Sequence, residues 1–85
     1  MKILRVSAIW CPACLIMRPI YDEVVKKYKM DTEELDYDFN EEEVQKLDIG
    51  KKLPVAIIYD GDEEKIRICG EKKEKEIEEI IEGLK

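Results

Sequence analysis

The sequence predicts an α/β domain of element order β-α-β-α-β-β-α, a four-stranded mixed sheet with helices on both faces. Three observations predict it. Strand-like and amphipathic helical segments alternate through the first half, which implies a parallel strand pair joined by a right-handed helical crossover. Later, two strand-like runs flank "DGDE", residues 60 to 63, a turn that joins antiparallel strands. The length of 85 residues suits one small domain, residues 1–85, and no more.

Taken in order, "ILRVSAI" at 3–9 reads as a buried strand. Residues 11 to about 29 read as a helix, with Leu15, Ile16, Ile20, Val24 and Tyr28 at helical spacing. "ELDYDF" at 34–39 alternates apolar and acidic residues and reads as a second strand. Asn40 suits the N-cap of a short helix, "EEEVQKL", whose first turn carries three acids. Gly50 ends that helix or opens a loop. "VAIIY" at 55–59 is the continuous apolar run of a central strand covered on both faces. "KIRIC" at 65–69 is the returning strand, broken by Gly70. Residues 71–84 form a last amphipathic helix on Ile77, Ile80, Ile81 and Leu84.

Composition removes several function classes. The net charge is −6, with the basic residues dispersed, which argues against nucleic acid as a partner. The longest apolar run is far too short to span a membrane. Arg5 interrupts the apolar start and no small-residue cleavage motif follows, so the expected location is the cytoplasm. The chain has no histidine, which excludes Ser-His-Asp and Cys-His catalysis and any histidine metal site.

Three cysteines remain: Cys11, Cys14 and Cys69. An odd count without a secretory signal does not suit a disulfide scaffold, and a close pair of thiols then points to redox chemistry or metal binding. With Cys11 as N-cap, Pro12 falls at N1, where a missing N–H costs nothing. Ala13 and Cys14 at N2 and N3 then turn free amides towards the Cys11 sulfur, at the positive end of the helix dipole. That arrangement favours the thiolate, which makes Cys11 the attacking group and Cys14, deeper and less exposed, the resolving one. Pro19 lies too far inside for the N1 explanation and should kink the helix. A zinc site within the chain lacks ligands, since Cys69 is a single distant thiol; two chains sharing a metal through paired CxxC motifs is a further reading. Cys69, in a strand, is expected in the core.

"WCPAC", "RPIYDEVV" and "LPVAIIYDGDEEKIRICG" together resemble the thioredoxin superfamily over nearly the whole chain. The resemblance implies a thioredoxin fold and a thiol–disulfide oxidoreductase, a protein disulfide reductase, that works by dithiol exchange without a bound cofactor, the Cys11–Cys14 pair carrying the electrons and closing to a redox-active disulfide. Pro54 matches the family's cis-proline. Leu53 would offer backbone groups to an extended substrate peptide, and Gly70 would keep the surface beside the motif open. Trp10, Pro12 and Ala13 would support the site, Trp10 by shielding the sulfurs or touching substrate. The expected partners are disulfide-containing proteins or small molecules and a recharging reductase, with the chain a monomer. Size and element order are similar to a glutaredoxin, but the Gly-Gly-Asp pattern of glutathione binding does not follow Cys69. The buried acid that thioredoxins carry on the first strand falls at Arg5, so proton handling at Cys14 uses water or another group, or is slower. A redox-sensing binding module and an oxidase or isomerase are the alternative functions.

Overall fold

The chain is described by a computed structural model over residues 1–50 and 53–84. The elements are β1 (Lys2–Ser7), α1 (Pro12–Tyr28), β2 (Asp31–Asp36), α2 (Glu41–Leu47), β3 (Val55–Asp60), β4 (Glu63–Cys69) and α3 (Glu74–Leu84). The strands form one sheet in the order β2-β1-β3-β4, with β1 parallel to β2 and the other neighbours antiparallel. The predicted order and mixed sheet are what the structure shows.

Strand side chains alternate between faces, and the core divides accordingly. Ile3, Ala56, Ile58 and Ile68 pack under α1 and α3 against Met17, Val24, Ile77 and Ile81. Leu4, Val6, Val55 and Ile57 turn to the other face, where Val44 of α2 covers them together with Cys11 and Cys14. Residues 55–58 of the central strand β3 are buried on both sides, as their unbroken apolar run implies.

Several boundaries and contacts differ from the sequence reading. Strand β2 starts at Asp31, three residues before its visible alternation. It is an edge strand whose first four residues are exposed, so apolar patterning is absent from its first half. It ends at Asp36 because that carboxylate turns the chain: Oδ1 accepts from the amides of Asp38 at 2.9 Å and Phe39 at 3.1 Å. Asn40 does occupy the N-cap of α2 but makes no side-chain cap. Its Oδ1 accepts instead from the Asp36 amide at 2.9 Å, closing the same turn. Strand β1 stops at Ser7, and α3 starts at Glu74.

Helix α1 runs through Pro19 without a break. Its buried stripe is Cys14, Met17, Tyr21 and Val24, not the Leu15–Ile16–Ile20 face that the spacing suggested. Leu15 and Ile16 are exposed. Apolar residues ring the start of this helix, so periodicity alone leaves its phase open. Cys69 is also exposed rather than in the core. It follows buried Ile68 on edge strand β4 and therefore points to the opposite face.

Candidate active site

The site forms where β1 ends and α1 begins. The Cys11 amide donates to the Ala8 carbonyl at 3.2 Å, closing the turn that carries Ile9 and Trp10. Cys11 is the extended N-cap of α1, with Pro12 at N1. The Cys14 amide donates to Cys11 Sγ at 3.3 Å, so the sulfur takes the place of a capping oxygen. This is a short, buried contact at the positive end of a 17-residue helix.

All three cysteines are free thiols. Cys11 and Cys14 are each 6% exposed, so the expected difference in exposure does not hold. The difference is electrostatic. Burial, followed by the hydrogen bond with Cys11, pushes the Cys14 thiol up to about 11. Cys14 thus keeps its proton at neutral pH.

The Leu53–Pro54 peptide bond is cis. Leu53 is buried in the same apolar cluster as the two cysteines, and Pro54 lines a small cavity with Cys14. The Gly70 amide donates to the Pro54 carbonyl at 2.8 Å. Gly70 has φ +75°, a left-handed conformation that favours glycine, and this lets the end of β4 turn its amide onto the proline segment. Chain positions 11, 14, 53, 54 and 70 therefore meet at one end of the sheet.

Trp10 is tied to the turn after β2. Its indole N–H donates to Asp38 at 2.7 Å, and its ring meets Tyr37 edge-on with centroids 6.0 Å apart. Trp10 is 58% exposed. Ile9, Leu15 and Ile16 are exposed beside it in sequence, giving the motif an apolar surround.

Behind Cys14 lies a polar layer. Arg5 is in register with Glu34 across the β1–β2 pair and binds it at 3.4 Å, while its other nitrogen donates to Asp22 on α1 at 2.9 Å. Arg18 pairs with the other oxygen of Glu34. The Tyr21 hydroxyl is buried nearby, and that burial raises its pKa. Sequence reasoning identified Arg5 but missed Glu34. The register that sets these two side by side depends on β2 starting at Asp31, and its exposed first half carries no signal of that.

A family model described as Thioredoxin matches residues 1–83. The chain belongs to the thioredoxin family. Among solved structures, thioredoxin 1 from the thermophilic eubacterium Thermosipho africanus TCF52B is 28% identical, with a TM-score of 0.86 over 99% of this chain and 93% of that one. The reduced thioredoxin pre-protein of Schistosoma mansoni is 24% identical, with a TM-score of 0.84 over 96% and 76%. Fasciola hepatica thioredoxin is 24% identical, with a TM-score of 0.85 over 99% and 80%. At that identity, the latter two speak for the fold alone. No curated protein matches significantly. Family membership and the adjacent cysteines support thiol–disulfide oxidoreductase activity in general. None of the described helices is long and apolar enough to cross a membrane.

Proposed function

We propose that this thioredoxin-family chain is a cytoplasmic protein disulfide reductase working by dithiol exchange. The observation that carries the proposal is the 3.3 Å hydrogen bond from the Cys14 amide to Cys11 Sγ at the start of α1. It sets an amide donor and the helix N-terminus against the sulfur that attacks. The Cys11 thiolate attacks one sulfur of a substrate disulfide, forming a mixed disulfide and releasing the other sulfur as a thiolate. Cys14, deprotonated, then attacks the Cys11 sulfur. That step forms the Cys11–Cys14 disulfide and expels the second substrate thiolate, so two electrons pass to the substrate.

No bound cofactor is needed in this scheme, because a separate reductase recharges the cysteine pair. Substrates are disulfide-containing proteins or small molecules. An extended segment is held by the backbone at Leu53, and Trp10 and Gly70 border its path. Pro12 and Ala13 preset the loop between the sulfurs, and Pro54 packs beside them. The chain acts as a monomer.

The test is substitution at each cysteine with a potential measurement. Cys14→Ser should accumulate mixed disulfides with substrates, and Cys11→Ser should abolish reduction. No trapped species in the first variant, or retained activity in the second, refutes the mechanism. A Cys11–Cys14 potential at or below about −230 mV supports reduction as the physiological direction, whereas a value near −120 mV would assign the chain to oxidation.

A further inference from the structure

We propose that Glu34, held by Arg5, is the proton acceptor for Cys14 in the resolving step. The inference rests on the reading of Cys14 as the resolving thiol. Its basis is a cavity of about 20 Å3 that Arg5, Cys14, Tyr21, Glu34 and Pro54 all line. That is room for about one water molecule. Two buried polar atoms of its lining, Arg5 Nε and Tyr21 Oη, have no hydrogen-bond partner among the described residues, so the cavity offers a water both a donor and a hydroxyl. Cys14 and Glu34 line this same space, so one water in it would have both as neighbours.

The chemistry around the cavity singles out Glu34. From β1, Arg5 faces it and cannot take a proton, because a guanidinium stays charged. Ser7 Oγ lies 3.4 Å from Glu34 Oε1. From α1 come Arg18, paired with Glu34, Tyr21, and Asp22, which is taken up by Arg5. Pro54 and Val55 contribute no titratable group. Glu34 is thus the carboxylate on this cavity. Its side chain is 35% exposed, so a proton it receives can pass on to bulk water. Arg5, 13% exposed, places a positive charge at the cavity, which favours the Cys14 thiolate as it forms. The acid that the first strand lacks at Arg5 is supplied by the neighbouring strand, with the cation and the carboxylate exchanged.

The step balances. The Cys14 thiol gives its proton to the Glu34 carboxylate, directly or through one water. The resulting thiolate attacks Cys11 Sγ, the Cys11–substrate bond breaks, and the departing substrate thiolate takes up a proton from Glu34 or solvent. Asp36 is the rival acid, since it lines a larger cavity, of about 170 Å3, on which Cys14 also lies. Its Oδ1 is occupied by two backbone amides that hold the turn after β2.

The experiment is stopped-flow reaction of the reduced protein with an aromatic disulfide that releases a coloured thiolate. It is run in a Cys69→Ser background, since exposed Cys69 would react on its own. The first equivalent reports Cys11 attack and the second reports resolution by Cys14. Glu34→Gln should leave the first phase unchanged and slow the second at pH 7 on the order of 10²-fold, the low end of what a positioned general base contributes. The second phase should then rise with pH well into the alkaline range, and Glu34→Asp should recover most of the rate. If Glu34→Gln does not fold because Arg5 is left short of a partner, R5Q/E34Q removes both charges and should show the same slow second phase. An unchanged second phase and pH profile in the folded variant, or loss of that phase in Asp36→Asn instead, overturns the assignment. A first phase that survives Cys11→Ser, or a second that survives Cys14→Ser, overturns the dithiol reading itself.

Discussion

The Cys14 amide and the Cys11 sulfur meet at 3.3 Å, so two equally buried thiols stand in unlike hydrogen-bonding settings. Cys11 receives a hydrogen bond at its sulfur. Cys14 gives its amide away and keeps a thiol that burial pushes up to about 11.

The inequality predicts an ordered alkylation. With limiting iodoacetamide at pH 7, Cys11 should be labelled well before Cys14. Labelling of Cys14 should rise about tenfold per pH unit until it levels off near 11. Peptide mass spectrometry reads both sites, and equal labelling at neutral pH would contradict the asymmetry. The same shift sets a stability trend. From about 9 upward the unfolded chain loses the Cys14 proton while the folded chain keeps it, so the folded state binds more protons and stability falls with rising pH. The fall ends near 11, where the folded thiol also ionises. Cys14→Ala should remove this part of the alkaline loss in denaturant melts across that range, leaving the part due to Tyr21, whose pKa is also raised.

The phase of α1 predicts a contrast between close neighbours. Met17 is 1% exposed and packs in the core shared with α3, whereas Leu15 is 66% exposed. Met17→Ala should cost about 2–5 kcal/mol of unfolding free energy. Leu15→Ala should stay within about 0.5 kcal/mol. Urea melts at neutral pH decide it, and equal losses would place the helix in the phase that its apolar periodicity suggests.

Gly70→Ala addresses the joint between β4 and the proline segment. At φ +75° a β-carbon is strained by about 1–2 kcal/mol. Relief by backbone rotation would pull the Gly70 amide away from the Pro54 carbonyl. The variant should lose about that much stability and also reduce disulfides more slowly. A stable variant with full turnover would show that the amide contact does not position the site.

The sequence carried the architecture because its strongest local signals agree with the global fold: the unbroken "VAIIY", the "DGDE" turn and the Ile77–Ile81 stripe. The N-terminal half of the site was legible for the same reason, since a cysteine before Pro12 has few places to go other than an N-cap. What stayed hidden depends on contacts between strands. Glu34 acquires meaning only through its register with Arg5, and the exposure of Cys69 depends on which face of an edge strand is left uncovered. The partner of Trp10 was hidden in the same way: its indole N–H finds Asp38, 28 positions on.

Strand β2 is the acidic border of the sheet. "DTEELD" sets Asp31, Glu33, Glu34 and Asp36 along a strand with one side open to pairing. An open strand is a template on which a second copy can add, and two copies meeting there would align their acidic rows at roughly 5 Å, where like charges oppose each other. Lys2, Arg5 and Arg18 hold some of these carboxylates from within the same molecule, which steadies the border without making it sticky. Replacing these carboxylates by amides would remove that repulsion, and the open strand would then lose its guard against self-association.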